Sequence, residues 1–216
     1  MEHERELRQF LARSTSELDL SLTQEQIEQF MLYLTQLLQW NRTTNLTSIT
    51  DPYEIISKHF VDSLTALTVA HFPSQSILTD VGAGAGFPGI PLKIVRTDLH
   101  LVLVEPVQKK SSFLRTIVGS LKLSNVSIFT GTLRQYLDQG HPPSDLMVLR
   151  ALRFVEIEEE AFIVLKPGGK AILYRTEKMK MPSTDTRFRV ESEKTFSLPM
   201  GYGNRVISVL NRAVTA

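Results

Sequence analysis

The 216-residue sequence contains no cysteine, which excludes disulfide bonds, thiolate–metal sites and cysteine nucleophiles. No apolar run approaches the length of a transmembrane helix. Residues 1–6 are mostly charged and lack the apolar centre of a signal peptide. These absences are consistent with a cytoplasmic protein that does not enter membranes, and this is the localisation we expect.

An excess of charge of either sign is missing as well. Lys and Arg number 24 against 23 for Asp and Glu, which gives a formal net charge of +1. A strongly basic chain would have indicated nucleic acid, whereas this balance leaves the question open and requires any basic surface to be local. No group of histidines and carboxylates has the spacing of metal ligands, so we predict no metal site.

What the sequence does contain is a glycine-rich stretch, Thr79–Gly89, between the apolar residues Ile77-Leu78 and a second apolar run. We interpret it as a buried strand, a tight turn and the start of a helix, since glycine tolerates positive φ and close approach of a ligand. Gly84, Gly86 and Gly89 have the spacing G-x-G-x-x-G. That spacing suits a dinucleotide, a mononucleotide or S-adenosylmethionine about equally, and a turn without any ligand is the remaining alternative.

From residue 77 onward, short apolar runs alternate with segments of helical periodicity, which predicts a parallel sheet covered on both faces. The predicted strands are 77–81, 101–105, 126–130, 146–149 and 170–174, and the predicted helices are 90–96, 109–121, 132–137 and 155–165. Two further runs, 192–198 and 205–210, alternate apolar and polar residues and predict an antiparallel pair at one edge of the sheet.

The N-terminal third is predicted to be helical. A short amphipathic helix lies within residues 1–20, and a second helix begins at a Thr23–Gln26 capping box and ends at Trp40. Residues 40–50 are too rich in Asn, Thr and Ser to continue that helix comfortably. Asp51-Pro52 then opens a third helix. We expect residues 1–70 to form a helical extension that packs on an α/β body of residues 71–216.

Glu105 ends the second predicted strand. In a doubly wound sheet, ligands bind beyond the carboxyl ends of the strands, close to the glycine turn. A carboxylate there can accept hydrogen bonds from both hydroxyls of a ribose and would repel a 2′-phosphate. The alternative is a solvated carboxylate. NAD and S-adenosylmethionine both carry such a ribose, so Glu105 does not choose between them.

The segment Val164–Leu173, with Leu-Lys-Pro-Gly-Gly before an apolar run, resembles the turn before the fifth strand of class I S-adenosylmethionine-dependent methyltransferases. Together with Asp80-x-Gly82-x-Gly84-x-Gly86 and Glu105, it favours that superfamily over a dehydrogenase. The resemblance implies a Rossmann-like α/β fold. Its sheet would be seven-stranded and mostly parallel, with an antiparallel C-terminal edge, and the helical extension would precede it.

Four segments narrow the resemblance further, namely 40–47, 59–64, 80–92 and 110–114. They are similar to the signatures of the glucose-inhibited-division-B family, methyltransferases that act on guanine N7 in bacterial small-subunit ribosomal RNA. The similarity is specific over residues 38–115 and weaker towards the C-terminus. It implies S-adenosylmethionine as cofactor and small-subunit ribosomal RNA or a ribosomal particle as partner. We expect the protein to be a monomer.

The glycine turn and Glu105 predict where the cofactor binds, and the resemblance implies the further residues of the site, among them Gly82, Phe87, Leu133, Arg134, Arg150, Lys58, His59 and Asp62. The predicted cofactor contacts are Asp80, Gly82, Gly84, Gly86, Phe87, Glu105, Leu133, Arg134 and Arg150. The predicted substrate contacts are Asn45, Lys58, His59, Asp62 and Arg175. Arg150, which matches the arginine of the family's Ser-Arg-Ala motif, is also the predicted catalytic residue; a surface salt bridge with the acidic run 156–160 is its alternative role.

Guanine N7 has an in-plane lone pair and no proton to remove, so its methylation needs no general base. A guanidinium can instead pair with guanine O6 or with a phosphate, and this is the role predicted for Arg150. We also expect a set of basic residues to contact RNA phosphates from one face. Its members are Arg42, Lys58, Lys109, Lys110, Arg175, Lys178, Lys180, Arg187 and Arg189.

The chain departs from the family at three places. It has Gly131-Thr132-Leu133-Arg134 for the usual Gly-Arg-Ala-Glu, Leu149 for serine, and Arg175-Thr176 for Lys-Gly. Two alternatives therefore stay open: an RNA-binding or assembly protein that has lost catalysis, and a methyltransferase that acts on another substrate. A nicotinamide enzyme is the most distant alternative.

Overall fold

The computed structural model describes residues 2–179 and 187–214. Its centre is one seven-stranded sheet. The strands are β1 (Ile77–Val81), β2 (His100–Glu105), β3 (Val126–Thr130), β4 (Ser144–Arg150), β5 (Leu165–Arg175), β6 (Phe188–Ser197) and β7 (Asn204–Arg212). Their order across the sheet is β3-β2-β1-β4-β5-β7-β6. The first five strands pair in parallel, and β7 pairs antiparallel with β5 and β6, which confirms the predicted fold class.

Helices cover both faces of this sheet. They are α1 (Glu2–Ser16), α2 (Gln24–Thr44), α3 (Pro52–Ile55), α4 (Asp62–Leu64), α5 (Gly89–Val95), α6 (Gln108–Ser120), α7 (Leu133–Asp138) and α8 (Glu158–Val164). The helix predicted over 155–165 is shorter than expected, because a 3-10 turn, Phe154–Glu156, precedes α8. No helix among the described residues has the length and apolar character needed to cross a membrane.

The core has one layer on each face of the sheet. Leu103 and Val148 belong to the layer beneath α2, α5 and α6, whereas Val104 and Met147 belong to the layer that includes Leu133 of α7. Neighbouring residues of one strand thus point into different layers, as the two-residue period of a strand requires. This double burial explains why the strands have nearly continuous apolar sequences.

Helix α2 is longer than predicted, because it continues past Trp40 to Thr44 and ends at Asn45, a left-handed cap with φ 50°. The polar side chains of this segment support the extra turn. The Asn41 side chain donates to the carbonyl of Thr47 and accepts from its amide, at 2.8 and 2.9 Å. Local hydrogen bonds of this kind let an Asn- and Thr-rich segment close a helix instead of interrupting it.

The N-terminal helices are joined to the α/β body by polar contacts as well as by the core. The buried Tyr33 hydroxyl donates to the carbonyl of Ala85 in the glycine loop at 2.5 Å. Gln26 donates to the carbonyl of Ile94 at 3.2 Å, and Gln29 to that of Leu121 at 3.0 Å. We propose on this basis that residues 1–70 are an extension of the body and depend on it for folding.

The segment that opens at Pro52 is not a uniform helix. Its middle turn, Ile56–Val61, is a π-helix between α3 and α4. Every residue of this turn except Lys58 is buried, and the polar residues Asp62 and Ser63 that follow are buried as well. Single π turns widen a helix and are frequent at functional sites. This turn sets the direction of the Lys58, His59 and Asp62 side chains.

Candidate active site

The predicted glycine turn is confirmed as the connection between β1 and α5. Gly82 and Gly84 have φ values of +69° and +61°, a region that non-glycine residues enter only at a cost. A Cβ on Gly82 would lie 2.6 Å from Leu152 Cδ1, so the missing side chain makes room for the loop after β4. A Cβ on Gly84 would meet only the carbonyl oxygen of Gly82, at 3.8 Å. Gly84 is therefore the point at which the loop is open to a ligand.

Glu105 lies beside this turn at the carboxyl end of β2. One of its carboxylate oxygens accepts from the Gly84 amide at 2.7 Å and the other from the Val107 amide at 2.8 Å. The side chain is 3% exposed. Each carboxylate oxygen has a further lone pair, so both can still accept a hydrogen bond from a hydroxyl group. The role of Glu105 towards a ribose stays a prediction.

Asp80 is fully buried beneath the turn. Its Oδ2 accepts from the Gly89 amide at 2.7 Å, whereas Oδ1 has no hydrogen-bond partner within the described ranges. Burial raises the pKa of Asp80 to about 7, against the opposing effect of the Gly89 hydrogen bond. Asp80 holds the start of α5 against β1, and a contact with a cofactor stays a prediction.

Arg150 ends β4 on the same edge of the sheet. Its Nη1 donates to the carbonyl of Lys58 at 2.9 Å and to Asp62 Oδ2 at 3.2 Å. Its Nη2 donates to His59 Nδ1 at 3.1 Å, and its guanidinium carbon lies 5.2 Å from the centroid of the Phe87 ring. The alternative salt bridge with residues 156–160 is wrong, because the carboxylate of Asp62 on the N-terminal extension is the closer counter-charge for Arg150.

Asp62 connects three parts of the chain. It has no exposed surface, and besides Arg150 it accepts from Arg205 Nε of β7 at 2.6 Å. Two cations at its carboxylate satisfy a group that would otherwise be costly to bury. The Asp62 carboxylate therefore binds two arginines, and its contact with Nη1 helps to fix the orientation of the Arg150 guanidinium. Sequence reasoning missed Arg205, since a single arginine in a C-terminal strand carries no motif.

His59 is held as a neutral imidazole. His59 Nδ1 lies 3.1 Å from Arg150 Nη2 and 3.2 Å from the Lys58 carbonyl oxygen, and Nε2 lies 2.9 Å from Thr47 Oγ1. Burial and then the charge of Arg150 lower the pKa of His59 to about 3. The ring stacks on Phe87 with centroids 4.5 Å apart. Both ring nitrogens are thus occupied by protein contacts.

A cavity of about 550 Å³ opens in front of these side chains. This basic cavity is lined by Ile49, Lys58, His59, Arg150, Ala151, Leu152, Tyr174, Arg175, Thr176, Glu177 and Arg205. Four cationic side chains and one carboxylate line it; Lys58 is paired with Glu54, and Arg150 and Arg205 are paired with Asp62. The volume is within the range of small-molecule sites. Arg150 has 15% of its side chain exposed. Its Nε–H and second Nη2–H have no hydrogen-bond partner among the residues described, so they are free to bind a ligand.

The other predicted site residues lie at different distances from this cavity. Leu133 is buried in the core layer beneath α7, and Arg134 is exposed and paired with Asp138 on the same helix, Nε to Oδ1 3.4 Å. Asn45 is the exposed cap of α2. Arg175, in contrast, lines the cavity, and its Nε donates to the carbonyl of Glu177 at 3.1 Å.

The departure from the family motif at Thr132 has a structural reason, since this residue forms a capping box with Gln135 at the start of α7.

The expectation that all candidate phosphate contacts share one face is wrong for Arg189. Arg189 of β6 is in register with Asn211, which pairs with Lys170 near the amino end of the regular part of β5. Arg150, in contrast, pairs with Tyr174 at the carboxyl end. The long antiparallel strands of the edge carry Arg189 to the opposite end of the sheet. Lys180 lies outside the described residues.

No group of three or more His, Asp or Glu side chains in the described parts of the chain is arranged to hold a metal ion. The features that the site does contain are the glycine turn, the carboxylate of Glu105 and the basic cavity.

Comparisons with known proteins show the family of the chain. The GidB family model, described as rRNA small subunit methyltransferase G, matches residues 26–207. Two curated relatives have the name ribosomal RNA small subunit methyltransferase G. The protein of Lachnoclostridium phytofermentans is 34% identical over 192 residues, which covers 84% of this chain and 79% of the relative. That of Staphylococcus haemolyticus is 33% identical over 214 residues, with 94% and 89% covered.

Solved structures with a similar fold include TrmN from Thermus thermophilus, with a TM-score of 0.55 at 15% identity over 73% of this chain and 53% of that one. A complex of MtNAS with MTA and tNA has a TM-score of 0.60 at 16% identity and covers 86% of this chain and 73% of that one. At these identities the similarity concerns the fold alone.

Proposed function

The chain belongs to the rRNA small subunit methyltransferase G family, and from this premise we propose that it transfers a methyl group from S-adenosylmethionine to N7 of a guanosine in small-subunit ribosomal RNA. The observation that carries the proposal is the position of Arg150. Its guanidinium is fixed by three hydrogen bonds at the carboxyl end of β4 and still has free donors. It faces a cationic cavity next to the glycine turn.

The residues of the turn fit S-adenosylmethionine on two observations. Gly84 leaves the loop open to a ligand, and the Glu105 carboxylate has unused lone pairs beside it. Gly82, Gly84 and Glu105 would hold the cofactor, with Asp80, Gly86 and Phe87 shaping the loop from beneath. Leu133 and Arg134 would contribute backbone groups, since their side chains are occupied elsewhere. The bound cofactor supplies the methyl group as a sulfonium.

The rest of the site positions the acceptor. N7 of guanine carries a lone pair and loses no proton, so the neutral, fully hydrogen-bonded His59 is not needed as a base. Arg150 would donate to guanine O6 or to a neighbouring phosphate and leave N7 free to attack. Holding the acceptor in line in this way can supply about 7–11 kcal/mol of the barrier.

The remaining predicted residues have supporting roles in this proposal. Lys58 and Arg175 would contact phosphates at the cavity wall, and Asn45 would reach RNA from the end of α2. Asp62 is assigned as a positioning residue, because its oxygens are turned to Arg150 and Arg205. The protein would work as a monomer in the cytoplasm, where ribosomal RNA is its substrate, naked or in an assembled particle.

The loss of the family's Gly-Arg-Ala-Glu motif gives little support to an RNA-binding protein without catalysis. The replacement Thr132 caps α7, and the Leu133 side chain packs in the core, so the departure preserves the local fold. A methyltransferase with another substrate would differ in the acceptor and not in the cofactor.

The deciding experiment incubates the protein with S-adenosylmethionine labelled with tritium in the methyl group. Unmodified small-subunit ribosomal RNA and assembled small subunits are supplied in parallel. We expect label in RNA, and strand cleavage at a single N7-methylated guanosine after reduction and aniline treatment. Cofactor binding without transfer to either RNA, measured by calorimetry, would contradict the proposal and favour the RNA-binding alternative.

Gly84→Ala tests the cofactor site with a matched control in Gly140→Ala. Both glycines have positive φ, +61° and +72°, and neither has a close neighbour at its Cβ position. Each substitution should therefore cost about 1–2 kcal/mol of stability. Only Gly84→Ala places a methyl group on the ligand side of the turn, so we expect it to weaken S-adenosylmethionine binding at least about tenfold, or 1.4 kcal/mol. Equal cofactor affinity in the two variants, measured by calorimetry, would contradict this placement.

A further inference from the structure

The tip of the last hairpin, residues 198–203 between β6 and β7, contains a residue, Met200, with both an unfavourable backbone conformation and an exposed apolar side chain. Met200 has φ 56°, a left-handed conformation that is costly for a long side chain, and its side chain is 65% exposed. Gly201 and Gly203, which follow Met200, also have positive φ, +71° and +98°. The backbone of the tip therefore turns Met200 outwards, where it has no packing role. Such departures cluster at binding sites.

The tip is anchored to the π turn, next to Lys58 of the basic cavity. Ser57 Oγ of the π turn donates to the carbonyl of Pro199 at 3.2 Å. Leu198 is buried, and its amide donates to the carbonyl of Gly203 at 2.8 Å. Arg205 follows immediately and binds Asp62 at 2.6 Å. An exposed apolar side chain is thus presented by a well-anchored turn.

Tyr202 connects the tip to the cavity. Lys58 Nζ, which lines the cavity, lies 5.3 Å from the centroid of the Tyr202 ring. The ring is half-buried, and the Tyr202 hydroxyl has no hydrogen bond in the described part of the chain. Arg175 and Arg205 add positive charge along the same rim. An aromatic face among cations is the arrangement on which proteins stack unpaired bases while they neutralise the phosphates.

We propose that the hairpin tip is a second RNA contact, in which a nucleotide flanking the target guanosine stacks on Tyr202 and Met200 packs against its base. The proposal rests on the proposed function, because it extends the path of the RNA from the basic cavity. A single-stranded or splayed RNA segment suits this surface better than a protein, since cationic side chains border the apolar residues. Flanking contacts of this kind hold the target guanosine at the cavity.

Met200→Gly separates binding from folding. Glycine adopts φ 56° without strain, so the variant should be as stable as the wild type or more stable in urea unfolding, while it loses the exposed side chain. We expect its affinity for small-subunit ribosomal RNA, measured by filter binding, to fall about threefold to tenfold. A loss of RNA affinity in a protein of unreduced stability has no explanation in misfolding. Unchanged RNA affinity would overturn the role of Met200.

Tyr202→Ala and Tyr202→Phe form the second pair. Base stacking on an aromatic residue is worth about 1–3 kcal/mol, so Tyr202→Ala should weaken RNA binding about fivefold to 150-fold. Tyr202→Phe keeps the ring and should bind RNA within about twofold of the wild type, and the S-adenosylmethionine affinity of both variants should equal that of the wild type. The slope of affinity against salt should not change, since no phosphate contact is removed. Equal RNA affinity of Tyr202→Ala and the wild type would overturn the proposal, and this comparison decides it even if the wild type transfers no methyl group.

Discussion

Replacing Arg150 by alanine should reduce kcat/KM for small-subunit ribosomal RNA by at least about 100-fold, the size of effect that misplacement of a reacting group produces. The guanidinium is the group at the carboxyl end of β4 that has both fixed geometry and free donors. Single-turnover transfer of tritium from labelled cofactor measures the loss. Arg150→Lys keeps the charge, but an ammonium cannot reproduce the planar set of hydrogen bonds, so we expect most of the activity to be lost there too.

Two comparisons make this result specific to Arg150. Arg153 lies three residues further on, is paired with Glu156 and has 76% of its side chain exposed, so Arg153→Ala should retain activity within about twofold, as expected for an exposed ion pair. The affinity for S-adenosylmethionine separates the two roles predicted for Arg150. An unchanged affinity assigns Arg150 to the substrate, whereas a large decrease assigns it to the cofactor. Wild-type activity in Arg150→Ala would remove Arg150 from the mechanism.

The sheet could be predicted from the sequence because its signals are local. The buried strands are short, mostly apolar runs, and the glycines after β1 mark a turn that few other residues can form. Parallel strands bring their carboxyl ends to one edge, which predicts Glu105 near the glycine turn. Arg150 is predicted there by the family resemblance alone. The predicted end of α2 at Trp40 was wrong, since helix propensity does not account for the side-chain hydrogen bonds of Asn41.

The centre of the site could not be predicted, because it joins residues that are far apart in the chain. Arg150 and Asp62 are 88 residues apart, and Arg205 and Asp62 are 143 residues apart. The π turn, which contains His59 and directly precedes Asp62, has no sequence signal of its own. Resemblance to a family identified Asp62 as a site residue, but it could not show that its carboxylate faces two arginines.

Asp62→Ala should be the most destabilising of these substitutions, by about 3–5 kcal/mol, because it leaves buried cations without their counter-charge. Asp62 has no exposed surface, and Arg150 and Arg205 have only 15% and 18% of their side chains exposed. Urea unfolding measures the loss. The exposed Asp138, paired with Arg134, is the matched control, and Asp138→Ala should cost about 0–1 kcal/mol, as expected for an exposed pair.

A second substitution distinguishes loss of charge balance from loss of packing. If the penalty in Asp62→Ala comes from unpaired cations, then adding Arg205→Met should recover part of the stability, since it removes one of the two cations that Asp62 holds. Methyl transfer by the double variant should remain slower than in the wild type. Arg150 would keep its contacts to the Lys58 carbonyl and His59 but would lack the carboxylate of Asp62. Recovery of stability without recovery of activity would identify Asp62 as the residue that positions Arg150. Additive losses in the double variant would instead mean that Asp62 contributes only packing, and that Arg150 is oriented by the π turn alone.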